Sequence, residues 1–345
     1  MIKATYQQYF LNFKQASGTS RGILRTKETW FLILEREGKY GYGECGLFRG
    51  LSADDCSNYE EKLQWVCKNI NLGLEKLLIE LIEYPSIQFG LEQAFLSLGS
   101  KNPFELFPSG FTKGIQQIPI NGLIWMGDKA FMQQQIKDKL QQGFTTIKMK
   151  IGAIDFDTEI ELLQSIRKEF SAKEIELRVD ANGAFSPDNA LDKLKRLSEL
   201  DLHSIEQPIK QGKWQEMAKL CENTPLPIAL DEELIGVFSS EEKEKCIDTI
   251  KPQYIILKPS LVGGFKGSNE WIQIASNHKA GNWITSALES NIGLSAIAQW
   301  TFTLNNPLPQ GLGTGSLFTN NFESPLEVTN GSLAYNSSKN WHFNI

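Results

Sequence analysis

Five segments in the second half of the chain each end in an ionisable residue, at nearly constant spacing. These residues are Lys150, Asp180, Glu206, Asp231 and Lys258. The steps between them are 30, 26, 25 and 27 positions (150 to 180, 180 to 206, 206 to 231, 231 to 258). Each step is about the length of one strand, one helix and two short loops. In a closed parallel barrel the carboxyl ends of the strands meet at one rim, so the five side chains would converge there.

Three of these residues are carboxylates on consecutive predicted strands, namely Asp180, Glu206 and Asp231. Oxygen ligands without histidine or cysteine suit Mg²⁺ or Mn²⁺ better than Zn²⁺. One such carboxylate alone is commonly solvated, but three converging on an apolar barrel would repel one another without a cation. Strand alternation turns Glu232 away from the face of Asp231, which makes Asp231 the better ligand. Glu233 shares that face but lies beyond the strand end, and it is a second choice.

The lysines supply the proton chemistry. Lys148 and Lys150 are separated by one residue, so both should face the barrel interior, and Lys258 arrives from the opposite side. Beside a cation and a second ammonium, the pKa of a buried lysine should fall towards neutrality, which suits a general base. The pattern predicts removal of an α-proton from a metal-held carboxylate substrate, with the metal stabilising the resulting enediolate. Lys148 could instead be only an ion-pair partner of the ligands.

The elements that must position these residues follow from the patterning. Residues 1–112 show strand alternation and then helical periodicity, which predicts a small α+β domain. Residues 116–314 carry eight short apolar strands alternating with helices, and residues 315–345 form a polar tail that should pack back on the first domain. Arg178 and Asn182 fall on the same strand face as one carboxylate, so both should also face the interior.

Composition excludes several classes of protein. With 41 acidic and 35 basic residues, the net charge of −6 gives no reason to expect nucleic acid as a partner. The chain shows neither a signal-peptide pattern nor an apolar run long enough to cross a membrane. Five cysteines without a CxxC pair indicate reduced thiols and a cytoplasmic protein. Three scattered histidines leave no HExxH zinc site.

Taken together, these motifs resemble the enolase superfamily, in its muconate-lactonizing-enzyme subgroup. That subgroup carries KxK on the second barrel strand, metal carboxylates on the next three strands and a lysine on the sixth. The matching residues here are Lys148, Lys150, Asp180, Glu206, Asp231 and Lys258. The resemblance implies an α/β fold, a (β/α)₇β TIM-like barrel with an α+β N-terminal capping domain that the C-terminal tail completes. It also implies Mg²⁺ as cofactor with Mn²⁺ as an alternative, a small carboxylate substrate and, as an option, a homo-oligomer.

Two later segments, SALESNIG at 286–293 and QGLGTG at 310–315, are similar to the dehydratases of this subgroup. The reaction so implied is the syn-dehydration of 2-succinyl-6-hydroxy-2,4-cyclohexadiene-1-carboxylate in menaquinone biosynthesis. By this resemblance Lys150 takes the α-proton and returns it to the leaving hydroxyl. The ammonium of Lys258 would face the delocalised anion from the other side.

The resemblance further implies that the capping domain closes over the substrate, with residues 19–29 as the candidate lid. The candidate substrate-binding residues lie on the rim or the lid: Asn182, Thr285, Ser286, Arg21 and Arg25. Each has a simpler interpretation. The two arginines could be solvated surface residues, and Thr285 and Ser286 could cap the following helix.

Several other functions remain open at this stage. N-acylamino acid racemases and muconate-type cycloisomerases share the lysines and ligands. A dipeptide epimerase would carry an Asp-x-Asp on the eighth strand, where this chain has GLGTG without an acid. A non-catalytic barrel that serves as a scaffold is a further alternative, but intact lysines and ligands argue against it.

Overall fold

The computed structural model describes residues 1–19 and 22–345. The chain begins with an antiparallel sheet in the order β1-β2-β3, followed by three helices. The strands are β1 (Lys3–Thr19), β2 (Gly22–Arg36) and β3 (Lys39–Cys45), and the helices are α1 (Tyr59–Asn69), α2 (Leu74–Glu80) and α3 (Pro85–Gly99). This is the small α+β capping domain that the sequence predicts.

Glycines let this sheet and its helix approach closely. A Cβ atom built on Gly43 of β3 would overlap the carbonyl oxygen of Gly90 in α3. A Cβ on Gly41 would likewise overlap the backbone at Ala94. Because neither side chain could be accommodated, the two elements pack backbone against backbone.

The candidate lid is mostly a strand rather than a loop. Residues 22–29 belong to β2, and backbone pairing continues from Lys3↔Glu35 out to Thr19↔Gly22, with a register irregularity between Asn12 and Ser17. The hydrogen bonds of an antiparallel ribbon therefore hold this segment, so the part of the candidate lid from residue 22 to 29 is a strand and not a loop.

The second body is a barrel whose parallel sheet has the order β11-β10-β9-β8-β7-β6-β5. Its strands are β5 (Gly122–Ile124), β6 (Thr146–Lys150), β7 (Glu176–Asp180), β8 (Ser204–Glu206), β9 (Ile228–Leu230), β10 (Tyr254–Leu257) and β11 (Gly281–Ile284). An eighth segment joins both edges through parallel bridges at Ile120↔Gln310 and Thr285↔Gly311. The predicted TIM-like barrel is confirmed.

Helices surround the barrel and connect its strands. They are α4 (Lys129–Gln141), α5 (Phe156–Glu169), α6 (Pro187–Ser198), α7 (Trp214–Asn223), α8 (Ser240–Ile250), α9 (Gly264–Asn277) and α10 (Asn291–Thr303). Their starts follow local chemistry. Before α8, for example, Ser239 and Glu242 exchange side-chain and backbone hydrogen bonds in a capping box. Among the described residues, no helix has the length and apolarity needed to span a membrane.

The C-terminal tail returns to the capping domain. It contains the hairpin β12 (Leu326–Thr329) and β13 (Ser332–Tyr335), and β13 pairs with β4 (Ile118–Pro119). Aromatic rings of the tail pack on the first sheet, with ring centroids of Phe31 and Phe343 separated by 5.1 Å. The tail therefore completes the capping domain as predicted, while the residue bounds given above for the three parts stay a prediction.

Candidate active site

Strand register brings the acidic residues together at the carboxyl-end rim. Lys150 pairs with Asp180, and Asp180 pairs with Glu206 on the next strand. Asp231 follows β9 directly, and Lys258 follows β10 directly. The three carboxylates are buried, so they face the interior of the barrel rather than solvent.

Lys148 lies between two of these carboxylates. Its Nζ atom is 3.1 Å from Oδ2 of Asp180 and donates a hydrogen bond to Oε2 of Glu206. Burial lowers the pKa of Lys148, but the negative charges of Asp180 and Glu206 outweigh it, and the net shift is upward. Lys148 is therefore a permanent cation that neutralises the carboxylates, which supports the ion-pair interpretation.

Lys150 has a different environment. Its Nζ atom lies 3.0 Å from Oδ2 of Asp180 and donates a hydrogen bond of 2.7 Å to Oδ1 of Asn182. Asn182 has a positive φ of 44° and lies two residues after the end of β7, with its own N–H donating to Oδ1 of Asp180 at 3.0 Å. The asparagine thus orients the lysine from the rim, the place predicted for it.

Lys258 enters from the other side of the rim. Its ammonium donates to Oδ2 of Asp231. Burial lowers the pKa of Lys258, but the charges of Asp231 and Glu206 outweigh it and the net shift is upward. This is opposite to the direction expected for a lysine beside a cation, because here the nearest charges are carboxylates.

The donor set fits a divalent cation. The described residues contain no ready-made group of three His, Cys, Asp or Glu side chains at ligating distance. Three ammonium groups, those of Lys148, Lys150 and Lys258, contact the three predicted ligands. Oε1 of Glu206 is nevertheless buried without a hydrogen-bond partner among the described residues. Burial and the charges of Asp180 and Asp231 raise the pKa of Glu206 well above its ordinary value. The unpartnered oxygen of Glu206 is therefore a donor atom that a divalent cation would satisfy.

Glu232 and Glu233, the two acidic residues after Asp231, do not follow the strand alternation that the sequence predicts. Strand β9 ends at Leu230 and a 3₁₀ turn covers Glu232–Leu234, so strand alternation does not extend to Glu232. Its side chain is buried and accepts a hydrogen bond of 3.0 Å from Nδ2 of Asn182. Glu232 therefore joins the site instead of turning away from it. Glu233 accepts from Nε2 of Gln207 at 2.9 Å, outside the ligand set.

Arg178 faces inward but lies deeper than the rim. Its guanidinium donates to Glu176 at 2.8 Å and to the carbonyl oxygen of Pro309 at 2.9 Å. It also stacks over Trp283, 4.4 Å from the ring centroid. Burial lowers its pKa. These contacts make Arg178 part of the barrel interior below the carboxylates.

A cavity of about 120 Å³ lies above the rim. Lys150, Lys258, Thr285 and Ser286 all line it. The Oγ atom of Ser286 is 2.6 Å from Oγ1 of Thr314. Neither residue caps the next helix, because Ser290 is the N-cap residue of α10. The structure thus places both predicted residues at the cavity.

Arg25, one of the two predicted lid arginines, does not join them. Arg25 is exposed on β2 and does not line the cavity. Arg21 lies outside the described residues. Contact between Arg25 and the substrate would require a movement of the β1–β2 ribbon.

Apolar residues that the sequence reasoning did not select cover the cavity. Phe48 and Leu51 come from the loop after β3, and Trp125 follows the first barrel strand. The only sequence signal for Trp125 is its position at a strand end, and the first two lie in a segment without strand or helix periodicity. Their role depends on how the capping domain seats on the barrel, which spacing along the chain does not reveal.

The fold and site define an enzyme that combines paired lysines with buried carboxylates at the rim of a β/α barrel. The chain belongs to the enolase superfamily, since residues 132–338 match the family described as Enolase C-terminal domain-like. It is 48% identical to o-succinylbenzoate synthase from Desulfotalea psychrophila (strain LSv54 / DSM 12343), over 96% of this chain and 98% of that protein.

Solved structures show the same fold as this chain. The crystal structure of MenC from Desulfotalea psychrophila LSv54 matches with a TM-score of 0.86 at 45% identity, covering 96% of this chain and 99% of that one. The substrate-liganded L-Ala-D/L-Glu epimerase from Bacillus subtilis matches with a TM-score of 0.83 at 19% identity, covering 96% and 95%. At that identity the second likeness shows the fold alone. The resemblance predicted from the KxK and carboxylate pattern is confirmed.

Proposed function

We propose that this enzyme is a carbon–oxygen lyase that makes o-succinylbenzoate for menaquinone biosynthesis. The substrate is 2-succinyl-6-hydroxy-2,4-cyclohexadiene-1-carboxylate, and the reaction is a syn-dehydration. The observation that carries the proposal is the 48% identity to an o-succinylbenzoate synthase over nearly the whole of both chains. The cavity supports it, because both lysines line the same space as the two hydroxyl residues of the seventh strand.

Lys150 is the proposed base. Once its amine is neutral, it removes the α-proton, and the same group then protonates the leaving hydroxyl. The α-carbon–hydrogen bond and the carbon–oxygen bond break, the aromatic ring forms and water leaves. Asn182 holds the amine in place through the 2.7 Å hydrogen bond. One group performs both transfers because a syn-elimination has proton and hydroxyl on the same face.

Lys258 is proposed to stabilise the anion. Its side chain reaches the cavity from the opposite strand, so its ammonium would face the charge that develops on the ring and the carboxylate. Its ammonium donates to Oδ2 of Asp231, which holds the charged group at the edge of the cavity.

Asp180, Glu206 and Asp231 are the proposed ligands of Mg²⁺, with Mn²⁺ as an alternative. When bound, the cation would supply the positive charge that stabilises the deprotonated substrate carboxylate and lowers the pKa of the nearby lysines. Lys148 stays an ion-pair partner of Asp180 and Glu206 in this scheme.

The succinyl side chain is assigned to the seventh-strand side of the cavity. Ser286 and Thr285 present hydroxyl groups there, and Thr314 adds a third. Phe48 and Leu51 cover the opposite, apolar part and would exclude water from the ring. Arg21 and Arg25 remain candidate lid contacts.

The direct test is turnover. Purified enzyme with Mg²⁺ and the cyclohexadiene substrate should release o-succinylbenzoate, measured by liquid chromatography and mass spectrometry. A protein that binds the substrate without turnover would contradict the proposal. Exchange of deuterium from solvent into the α-carbon of N-succinyl amino acids or dipeptides, without dehydration of the cyclohexadiene substrate, would favour a racemase or epimerase instead.

Two further expectations, on cellular location and on oligomeric state, accompany this function. A biosynthetic enzyme with five free cysteines is expected in the cytoplasm. A homo-oligomer is also expected, and analytical ultracentrifugation would measure its size.

A further inference from the structure

Lys27 is a lysine of the capping domain that the mechanism above does not use. It lies on β2 with 5% of its surface exposed, and its ammonium has no hydrogen-bond partner among residues 1–19 and 22–345. A buried ammonium without a partner is costly, so nearby charges must compensate it. Thr29, two residues further along β2 and so on the same strand face, donates to Glu44 at 2.8 Å, which places Lys27 on the face that meets this carboxylate. Burial lowers the pKa of Lys27, and the charges of Glu44, Glu289 and Glu28 oppose that shift.

The first of these carboxylates joins the capping domain to the barrel. Glu44 on β3 is fully buried and accepts a hydrogen bond from Oγ1 of Thr29 at 2.8 Å. It also accepts from the backbone N–H groups of Ser290 and Gly293, each at 2.9 Å. These amides start α10, so a carboxylate of one domain caps a helix of the other.

The second carboxylate holds the loop at the cavity wall. Glu289 is fully buried and accepts from the N–H of Ala287 at 2.7 Å and from the hydroxyl of Ser260. Ala287 and Leu288 line the cavity, and Leu288 has a positive φ of 63°. A leucine in this region of backbone conformation is strained, so its surroundings must enforce the conformation. The hydrogen bonds that Glu289 accepts from Ala287, before Leu288, and from Ser260, on the neighbouring loop, provide that restraint.

We propose that Lys27 is a positioning residue for the substrate-binding loop at 285–290. Its ammonium balances the buried charges of Glu44 and Glu289. These carboxylates then fix the loop that presents Ser286 to the cavity. The role rests on the function proposed above, because the loop is assigned to the succinyl side chain of the substrate.

The arrangement also links the lid to the substrate. Lys27 lies within the candidate lid segment 19–29, on the β1–β2 ribbon. The same charge cluster reaches Ser260, two residues after Lys258. A displacement of the ribbon would therefore remove the counter-charge from the loop, and a seated ribbon would restore it.

The test compares Lys27→Met with Lys39→Met, since Lys39 is an exposed lysine of the same sheet. Hydrogen exchange measured by mass spectrometry should become about tenfold faster over residues 285–293 in Lys27→Met only. The KM for the cyclohexadiene substrate should rise about tenfold with a smaller change in kcat, because binding groups move while the reacting lysines stay. Exchange and KM within twofold of the wild type would overturn the proposal.

Two further variants separate positioning from general damage. Lys27→Met/Glu289→Gln should lie closer to the wild type than Lys27→Met, since it leaves one buried charge fewer without a counter-ion. Lys27→Arg keeps the charge and should retain a near-normal KM. Strictly additive effects in the double variant would count against the charge cluster. Hydrogen exchange needs no substrate, so a failure of the proposed function would show separately, as absent turnover by the wild type.

Discussion

Lys148 and Lys150 are two positions apart on one strand, yet they have different partners. Lys148 is buried between Asp180 and Glu206, and its pKa is held above the ordinary value, so it cannot release a proton readily. Lys150 contacts only Asp180 among the ligands and donates to Asn182 at the rim. At the scale of single residues, the division of labour therefore follows from the number of carboxylates that each ammonium touches.

The first prediction concerns the base. Lys150→Ala should reduce dehydration by about 10²–10⁴-fold, because it removes the group that performs both proton transfers. Lys129→Ala, an exposed lysine paired with Glu161, is the matched control and should keep full activity. Steady-state turnover and Mg²⁺ titration of both variants provide the measurement. Activity of Lys150→Ala within about tenfold of wild type would mean that another residue is the base.

At the scale of secondary-structure elements, spacing along the chain predicts which catalytic residues meet, but it does not predict which other residues surround them. Strand length and parallel register place Lys150, Asp180 and Glu206 side by side, so their meeting could be predicted from sequence. Alternation fails beyond the end of β9, and for that reason the inward position of Glu232 was not foreseen. The role of Lys27 could not be predicted either, because the carboxylates that its charge balances, Glu44 on β3 and Glu289 before α10, are separated from it in the sequence.

The second prediction concerns a contact between elements of the two domains. Glu92 of α3 accepts hydrogen bonds from the N–H groups of Phe265 and Lys266 at the start of α9. Burial raises the pKa of Glu92 from 4.5 to about 7. The folded state therefore binds this proton more tightly than the unfolded state, so its contribution to stability is full below about pH 4.5 and is lost as pH rises to 7. The loss is on the order of 2–3 kcal/mol.

Glu92→Gln should remove this loss of stability. The difference in urea midpoint between pH 5 and pH 8 should shrink in this variant, whereas Glu161→Gln, at an exposed glutamate paired with Lys129, should behave like the wild type. Other titrating groups are shared by all three proteins and cancel in the comparison. An equal pH dependence in Glu92→Gln and wild type would refute the assignment.

At the scale of the whole molecule, residues of both the barrel and the capping domain line the cavity. The barrel supplies the lysines and ligands, while the capping domain supplies Phe48 and Leu51 above them. Glu44 and Glu92 each fix a barrel helix from the capping side. The reacting groups and the groups that cover them are therefore stabilised together.

The third prediction concerns the response of the whole molecule to the cation. Saturating Mg²⁺ should raise the melting temperature by about 1–3 °C, because a ligand that binds only the folded state stabilises it. Asp231→Asn should lose this increase, since it removes one of three ligands. Asp192→Asn, at an exposed aspartate paired with Lys195, should keep it. Scanning calorimetry with and without Mg²⁺ decides, and an equal increase in Asp231→Asn would exclude Asp231 as a ligand.

The packing of the tail on the first sheet also sets an order for biosynthesis. Phe31 is synthesised 312 positions before its ring partner Phe343 (31 to 343), and Phe322 also follows much later. At about 5–20 residues per second, this interval is roughly 15–60 s. During that time the aromatic face of the sheet lacks its cover and is exposed to solvent. We expect the nascent chain to depend on holding chaperones until the tail emerges, even though the finished enzyme does not.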